Sequence, residues 1–346
     1  MPELRIDPLT GLRAIIAGER AARPGAFASK IDERPPIDPA NDPFAEGNED
    51  RTPPEVWALR PGGGGPDTPG WRVRVVPNLY PALGPSDTPA GEADSRASDA
   101  TAGDDPLRSG RGMPELFTSR PAVGAHEVIV NSPKPVSSLV DLEPHEVEVA
   151  MGAWRTRIAT HASSAYTHLI VNEGVQAGAS LPHTHSQLYA LPFVPAAVAR
   201  ERERFTAYFE RTQGRNLLAD VLQEEVRLRE RIVAIDPEAV VICPFAARMP
   251  FEMMLIPRTP RARFQDDGPL GAKLLHEALG RLRAALGGLP PLNMWVRTAP
   301  SGAGEFCWHL DIVPRLAQLA GLEMGTGVSL NIVPPEQAAA SLRDAA

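Results

Sequence analysis

Between residues 172 and 192 the chain reads NEGVQAGASLPHTHSQLYALP, and this stretch restricts the fold more than any other. His183, His185 and Gln187 recur every second residue. That is the period of a β-strand, so an extended backbone projects all three side chains from one face. Upstream, Gly174, Gly178 and Ser180 make a loop whose backbone N–H groups and hydroxyl can approach an anion closely. A His-x-His pair alone suits a structural histidine or a metal site as well as a reactive one. The glycine-rich, serine-bearing loop beside it favours an imidazole that attacks phosphorus while nearby donors hold the phosphoryl oxygens.

The surrounding pattern is mixed. Residues 71–76, 126–130 and 166–171 alternate or run apolar and read as strands, whereas 143–162, 196–232 and 270–286 have helical apolar spacing. Strands alternating with helices indicate an α+β fold. A weak internal repeat is also visible. Val75-Val76-Pro77-Asn78-Leu79-Tyr80-Pro81 in the first half is matched by Val240-Val241-Ile242-Cys243-Pro244-Phe245 in the second. An Asn172-to-Pro192 stretch containing His183 and His185 is likewise matched by Asn293 to Pro314 with Cys307-Trp308-His309. The expected organisation is two copies of one unit, 1–195 and 196–346, each an antiparallel sheet with packed helices. Residues 84–112 are mostly Gly, Pro, Ser, Ala and Asp with almost no large apolar side chain, and read as a disordered surface insertion. The proline-dense stretch 35–54 should be extended or turn-rich.

Composition narrows the function classes. A length of 346 residues allows about two domains. The net charge of −8 argues against binding nucleic acid through bulk charge. Of 35 basic residues only Lys30, Lys134 and Lys273 are lysine, an arginine bias that suits bidentate recognition of phosphate but also follows from base composition. Two cysteines, Cys243 and Cys307, exclude a disulfide framework and a C-x-x-C metal knuckle. The N-terminus lacks an apolar leader and no run approaches the ~20 apolar residues of a membrane span. A cytoplasmic protein without membrane partners is expected.

The segment Asn172-x-Gly174-x-x-x-Gly178-Ala179-Ser180-x-Pro182-His183-Thr184-His185-Ser186-Gln187 resembles the active-site segment of the galactose-1-phosphate uridylyltransferase family, a branch of the histidine triad superfamily. Four further stretches resemble that family in its order. They are Asp7 to Gly11, Glu19 to Pro24, Val75 to Ala82, and Trp308 to Arg315 followed by Gly321 to Gly327. The resemblance implies a pair of histidine-triad-like units and a two-step nucleotidyl transfer. His185 would attack the α-phosphorus of a nucleotide sugar, and the nucleotidyl group, UMP in the family, would then pass from His185 to a sugar 1-phosphate. Gln187 stands where histidine triad hydrolases carry a third histidine; its neutral amide binds phosphoryl oxygens without serving as an acid or base. The resemblance assigns Ser180, Gly178 and Asn172 to the α-phosphate, Arg20 and Arg23 to the phosphates, Asn78 to the base or ribose, and Glu323 to the sugar. It also implies a homodimer. A phosphorylase or hydrolase of nucleotide sugars, or a non-catalytic nucleotide-binding relative, are the alternatives.

Two metal sites of the family are altered. Where zinc-binding members carry C-P-F-C, this chain has Asp42-Pro43-Phe44-Ala45, and Ser132-Pro133-Lys134-Pro135 lacks the histidine that usually follows Ser-Pro. His183 alone of that set remains, with Asp42 placed to hydrogen-bond it. At the second site Glu201 and His309 persist, but Arg297 and Cys307 replace two histidines. No metal or cofactor is expected, with a Cys307/His309/Glu201 set left open.

Overall fold

In a computed structural model of the chain the described residues are 1–22, 31, 34–85, 116, 117, 119 and 121–345. Nearly all of the expected insertion, 86–112, lies outside them, as does Arg23. The described part of 35–54 consists of turns and one short 3₁₀ turn, Glu49–Arg51.

Two N-terminal strands, β1 (Glu3–Ile6) and β2 (Arg13–Ile16), are followed by β3 (Trp57–Leu59), β4 (Val73–Pro77) and β5 (Ala125–Val130). Helix α1 (Pro144–Thr160) leads to β6 (Tyr166–Glu173) and β7 (His185–Leu191). After α2 (Ala196–Thr212) and α3 (Leu217–Leu228) come β8 (Ile232–Ile235), β9 (Ala239–Ile242) and β10 (Met253–Pro257). Then follow α4 (Ala272–Leu286), β11 (Leu292–Arg297), β12 (His309–Pro314), α5 (Gly321–Thr326), β13 (Ser329–Asn331) and α6 (Pro335–Asp344).

Ten strands form one antiparallel sheet in the order β3-β4-β5-β7-β6-β11-β12-β10-β9-β8. Read inward from either edge, the order repeats: β3-β4-β5-β7-β6 from one side, β8-β9-β10-β12-β11 from the other. Each set has its helix, α1 or α4, between its third and fourth strands in chain order. β1, β2 and β13 form a separate small sheet that joins the two chain ends.

Alternation decides what each sheet face does. On one face Val75, Ile129, Leu169, Val171, Leu188, Met294 and Leu310 are buried beneath Met151 and Trp154 of α1, Leu275 and Leu279 of α4 and Leu342 of α6. Among the described residues the opposite face is covered chiefly toward its edges. Phe44 and Trp71 pack on Val76, Val128 and Val130 at one end, and Phe205, Leu218 and Leu222 pack on Val240, Ile242 and Ile256 at the other. Between these caps β6 and β11 alternate buried and half-buried residues, as does β7 from Ser186 onward. A polar trough remains along the middle of the sheet.

The sequence reading differs from the structure at 196–232, where one helical stretch is two helices. Gln213 has φ 57° and Gly214 φ 112°, both in the left-handed region, and Asn216 caps α3 through its side chain. The chain folds back there so that both helices press apolar faces on the same end of the sheet.

Candidate active site

The trough floor is a lattice of side chains whose neighbours follow from strand register. Across it run His185 (β7), aligned with Val130 (β5), then Gln187, aligned with Ile170 (β6), which is aligned with Trp295 (β11) and it with Asp311 (β12). Tyr189 is aligned with His126 on one side and His168 on the other. Asn172 and Asn293 are direct cross-strand partners.

His185 opens β7 and is 5% exposed. Its Nδ1–H donates to the His183 carbonyl at 2.7 Å, and Phe44 lies edge-on at 5.3 Å. A carbonyl only accepts, so this contact places the ring proton on Nδ1 and leaves the lone pair on Nε2. Burial pushes the imidazole's pKa down, and the neighbouring His183 acts in the same direction against the opposing hydrogen bond and Asp42. The ring is therefore neutral and nucleophilic near pH 7.

In the loop beside it two glycines hold left-handed backbone. Gly174 (φ 87°) and Gly178 (φ 90°) bracket a 3₁₀ turn, Val175–Ala177, and a Cβ on Gly178 would come within 3.8 Å of Asn172 Nδ2. Asn172 Oδ1 accepts from Asn293 Nδ2 at 2.8 Å, and Asn293 Nδ2 also reaches the Ala177 carbonyl at 2.7 Å. This fixes the Asn172 amide with its NH₂ group toward Gly178, where an anion would approach. Ser180 is exposed in the segment just before β7.

Gln187 is held by two residues that the sequence reading missed. Its Oε1 accepts from Tyr189 Oη at 3.0 Å and from His126 Nε2 at 3.0 Å. His126 stacks on Tyr189 with ring centroids 4.1 Å apart, and Asn78 Nδ2 lies 3.2 Å from the same Nε2. The alternation in 126–130 marks His126 as a strand residue, but only the β5–β7 register brings it to Gln187, 61 residues away.

The remaining assignments separate from this cluster. Arg20 stands exposed in the 3₁₀ turn Gly18–Ala22, with no hydrogen bond to the cluster among the described residues. Glu323 spends its Oε2 on the Ala320 N–H at the start of α5, 2.9 Å away. His183 lies ahead of β7, not within it. Its Nδ1 is 2.5 Å from Asp42 Oδ2 and its Nε2 is 2.8 Å from the Ser132 carbonyl.

That last geometry does not fit zinc. Only two donors meet there, His183 Nδ1 and Asp42, and among the described residues no third His, Cys, Asp or Glu joins them, short of the four ligands of a structural zinc. The second site fits no better. Cys307 is buried and its thiol donates to the Trp308 carbonyl at 3.6 Å. The Arg297 guanidinium already lies 3.8 Å from Glu201 and 3.9 Å from Asp311, where it would repel a divalent ion. His309 repeats the His185 arrangement, with Nδ1 3.2 Å from the carbonyl two residues before it, but its Nε2 is 3.3 Å from Glu201. Among the described residues no group of three His, Cys, Asp or Glu side chains is arranged around a metal position. No described helix is long and apolar enough to cross a membrane.

Comparison with known proteins bears on this geometry. The protein family described as galactose-1-phosphate uridyl transferase, N-terminal domain, matches residues 72–195. An ADP-glucose phosphorylase of Arabidopsis thaliana is 34% identical over 99% of this chain and 93% of its own length. A Drosophila melanogaster protein named "probable galactose-1-phosphate uridylyltransferase" is 30% identical over 77% of this chain and 68% of its own. The crystal structure of an ADP-glucose phosphorylase from Arabidopsis thaliana with bound ADP-glucose superposes with a TM-score of 0.77 at 29% identity, covering 99% of each chain.

Proposed function

Since this chain belongs to the galactose-1-phosphate uridylyltransferase family of the histidine triad superfamily, we propose that it is a nucleotide-sugar phosphorylase that works through a covalent adduct on His185, with ADP-glucose as donor and inorganic phosphate as acceptor. The observation that carries the covalent step is the His183 carbonyl holding the His185 proton on Nδ1. Nε2 forms a bond to the α-phosphorus while the bond from that phosphorus to the bridging oxygen breaks, and glucose 1-phosphate leaves with the electron pair. A phosphate oxygen then attacks the same phosphorus, the P–N bond breaks, and ADP departs from a neutral imidazole. The Gln187 and Asn172 amides and the backbone at Gly178 are the donors for the phosphoryl oxygens.

The sequence reading puts UMP on His185 and a sugar 1-phosphate in the acceptor's place. Full-length similarity to an ADP-glucose phosphorylase supports adenylyl transfer to phosphate instead. The test is intact-mass detection of the adduct followed by product analysis. ADP-glucose should add one AMP to the wild type and nothing to His185→Ala, and phosphate should discharge the adduct as ADP. Discharge by galactose 1-phosphate of a UMP adduct, with phosphate inert, would restore the transferase reading.

We also propose that 1–195 and 196–346 are copies of one unit. The mirrored strand order, the equivalent placing of α1 and α4, and the shared Nδ1 contact of His185 and His309 support this.

A further inference from the structure

We propose that His126 is a positioning residue that sets the Gln187 amide one way round, so that its NH₂ group and not its oxygen faces the phosphoryl group on His185; this rests on the covalent reading above. The ring of His126 is set by a backbone group that cannot turn over. The backbone N–H of Ala82 donates to His126 Nδ1 at 3.1 Å, so Nδ1 is the unprotonated nitrogen and the ring proton sits on Nε2. That N–H needs an acceptor. Asn78 cannot supply it, because Asn78 Oδ1 already takes the Tyr80 N–H at 2.8 Å, which turns Nδ2 toward the ring. Gln187 Oε1 at 3.0 Å is the acceptor that remains.

Tyr189 follows that setting, its hydroxyl donating to the same Oε1. Burial raises the Tyr189 pKa and lowers that of His126, so both hold the protonation states this arrangement needs across neutral pH. With its oxygen engaged twice, Gln187 presents two N–H donors to the space beside His185. The reversed amide would aim an oxygen lone pair at phosphoryl oxygens and lose the His126 bond, so it would repel the group that it has to hold.

The test is a double-mutant cycle read on adduct formation. His126→Phe keeps a ring stacked on Tyr189 but removes the Nε2–H donor; His126→Gln returns an N–H near the Nε2 position. His126→Phe should slow adduct formation roughly 10- to 100-fold with KM for ADP-glucose little changed, and His126→Gln should recover most of that loss. On a Gln187→Ala background His126→Phe should cost less than about 3-fold, because the two residues act as one unit. Nitrogen NMR of labelled histidine should show the Nε2–H tautomer for His126. Additive losses in the cycle, a His126→Phe rate equal to wild type, or an Nδ1–H tautomer would each overturn the proposal. A wild type that forms no adduct with any nucleotide sugar overturns the covalent reading and this role with it; an adduct-forming wild type with additive variants overturns this role alone.

Discussion

At the scale of single residues the chemistry depends on which nitrogen of each imidazole carries a proton, and backbone groups decide it at three histidines of the strands. The His183 carbonyl does so for His185, the Ala82 N–H for His126, and the Cys307 carbonyl for His309. Among the described residues His185 Nε2 has no hydrogen-bond partner, whereas His309 Nε2 meets Glu201. In the proposed reaction the neutral form of His185 is the nucleophile, and its pKa is lowered from the ordinary 6.5 chiefly by burial. Adduct formation should therefore be flat through pH 7, with its acid limb below 6.5. Single-turnover rates across pH 4–8 check this, and a limb centred above 6.5 contradicts it. His185, Gln187, Asn172 and Gly178 were legible because spacing of two along a strand and glycines in a loop are local facts. His126, Tyr189 and Asn293 were not, because register between distant strands makes them neighbours of the site.

At the scale of elements, strand β7 is anchored from beneath by a buried polar group. Asn131, 1% exposed, accepts from Trp154 Nε1 of α1 at 3.0 Å and from Ser186 Oγ of β7 at 2.9 Å, and its Nδ2 reaches Thr184 Oγ1 at 3.2 Å. The helix therefore holds the start of the strand that carries His185. Asn131→Leu strands the indole N–H and the Ser186 hydroxyl in the core, and should destabilise the fold by about 1–3 kcal/mol. The accompanying displacement of His185 should slow adduct formation. Urea unfolding measures the first effect and single-turnover kinetics the second. Helix α1 itself is readable in sequence, because Pro144 sits at its first turn and Glu146 reaches back to the Glu143 N–H at 2.9 Å. The break between α2 and α3 is subtler. Apolar spacing continues through 196–232, and Gln213-Gly214 reverses the chain because both helices must cover one end of the sheet.

For the whole molecule, arginine–carboxylate contacts tie the loop before β4 to the sheet edge. Arg74, 1% exposed, bonds Glu55, Thr52 and Asp67 together with the Glu49 carbonyl, and Arg60 pairs with Glu55 at 2.6 Å. Burial alone would raise the carboxyl pKa of Glu55, but the Arg60 and Arg74 hydrogen bonds bring it below the ordinary 4.5; Glu49 is likewise lowered against its burial by Trp71 and backbone N–H groups. A lowered native pKa contributes stability that is present above about 4.5 and is lost as pH falls through the native value. The loop should thus loosen under acid, below about pH 4.5, and resist metal chelators at neutral pH. Limited proteolysis of 42–71 at pH 7 with chelator and at pH 4 without it checks both halves. The sequence by itself determined the α+β class, the strand with His185 and Gln187, the glycine-bearing loop before it and the family, since periodicity, glycine placement and motif order are written along the chain. Only the tertiary structure decided which residues share the trough floor, which nitrogen each histidine presents, and how His183 and Arg297 fill positions that the family resemblance gives to metals. Those depend on contacts between residues far apart in the chain, and local spacing carries no information about them.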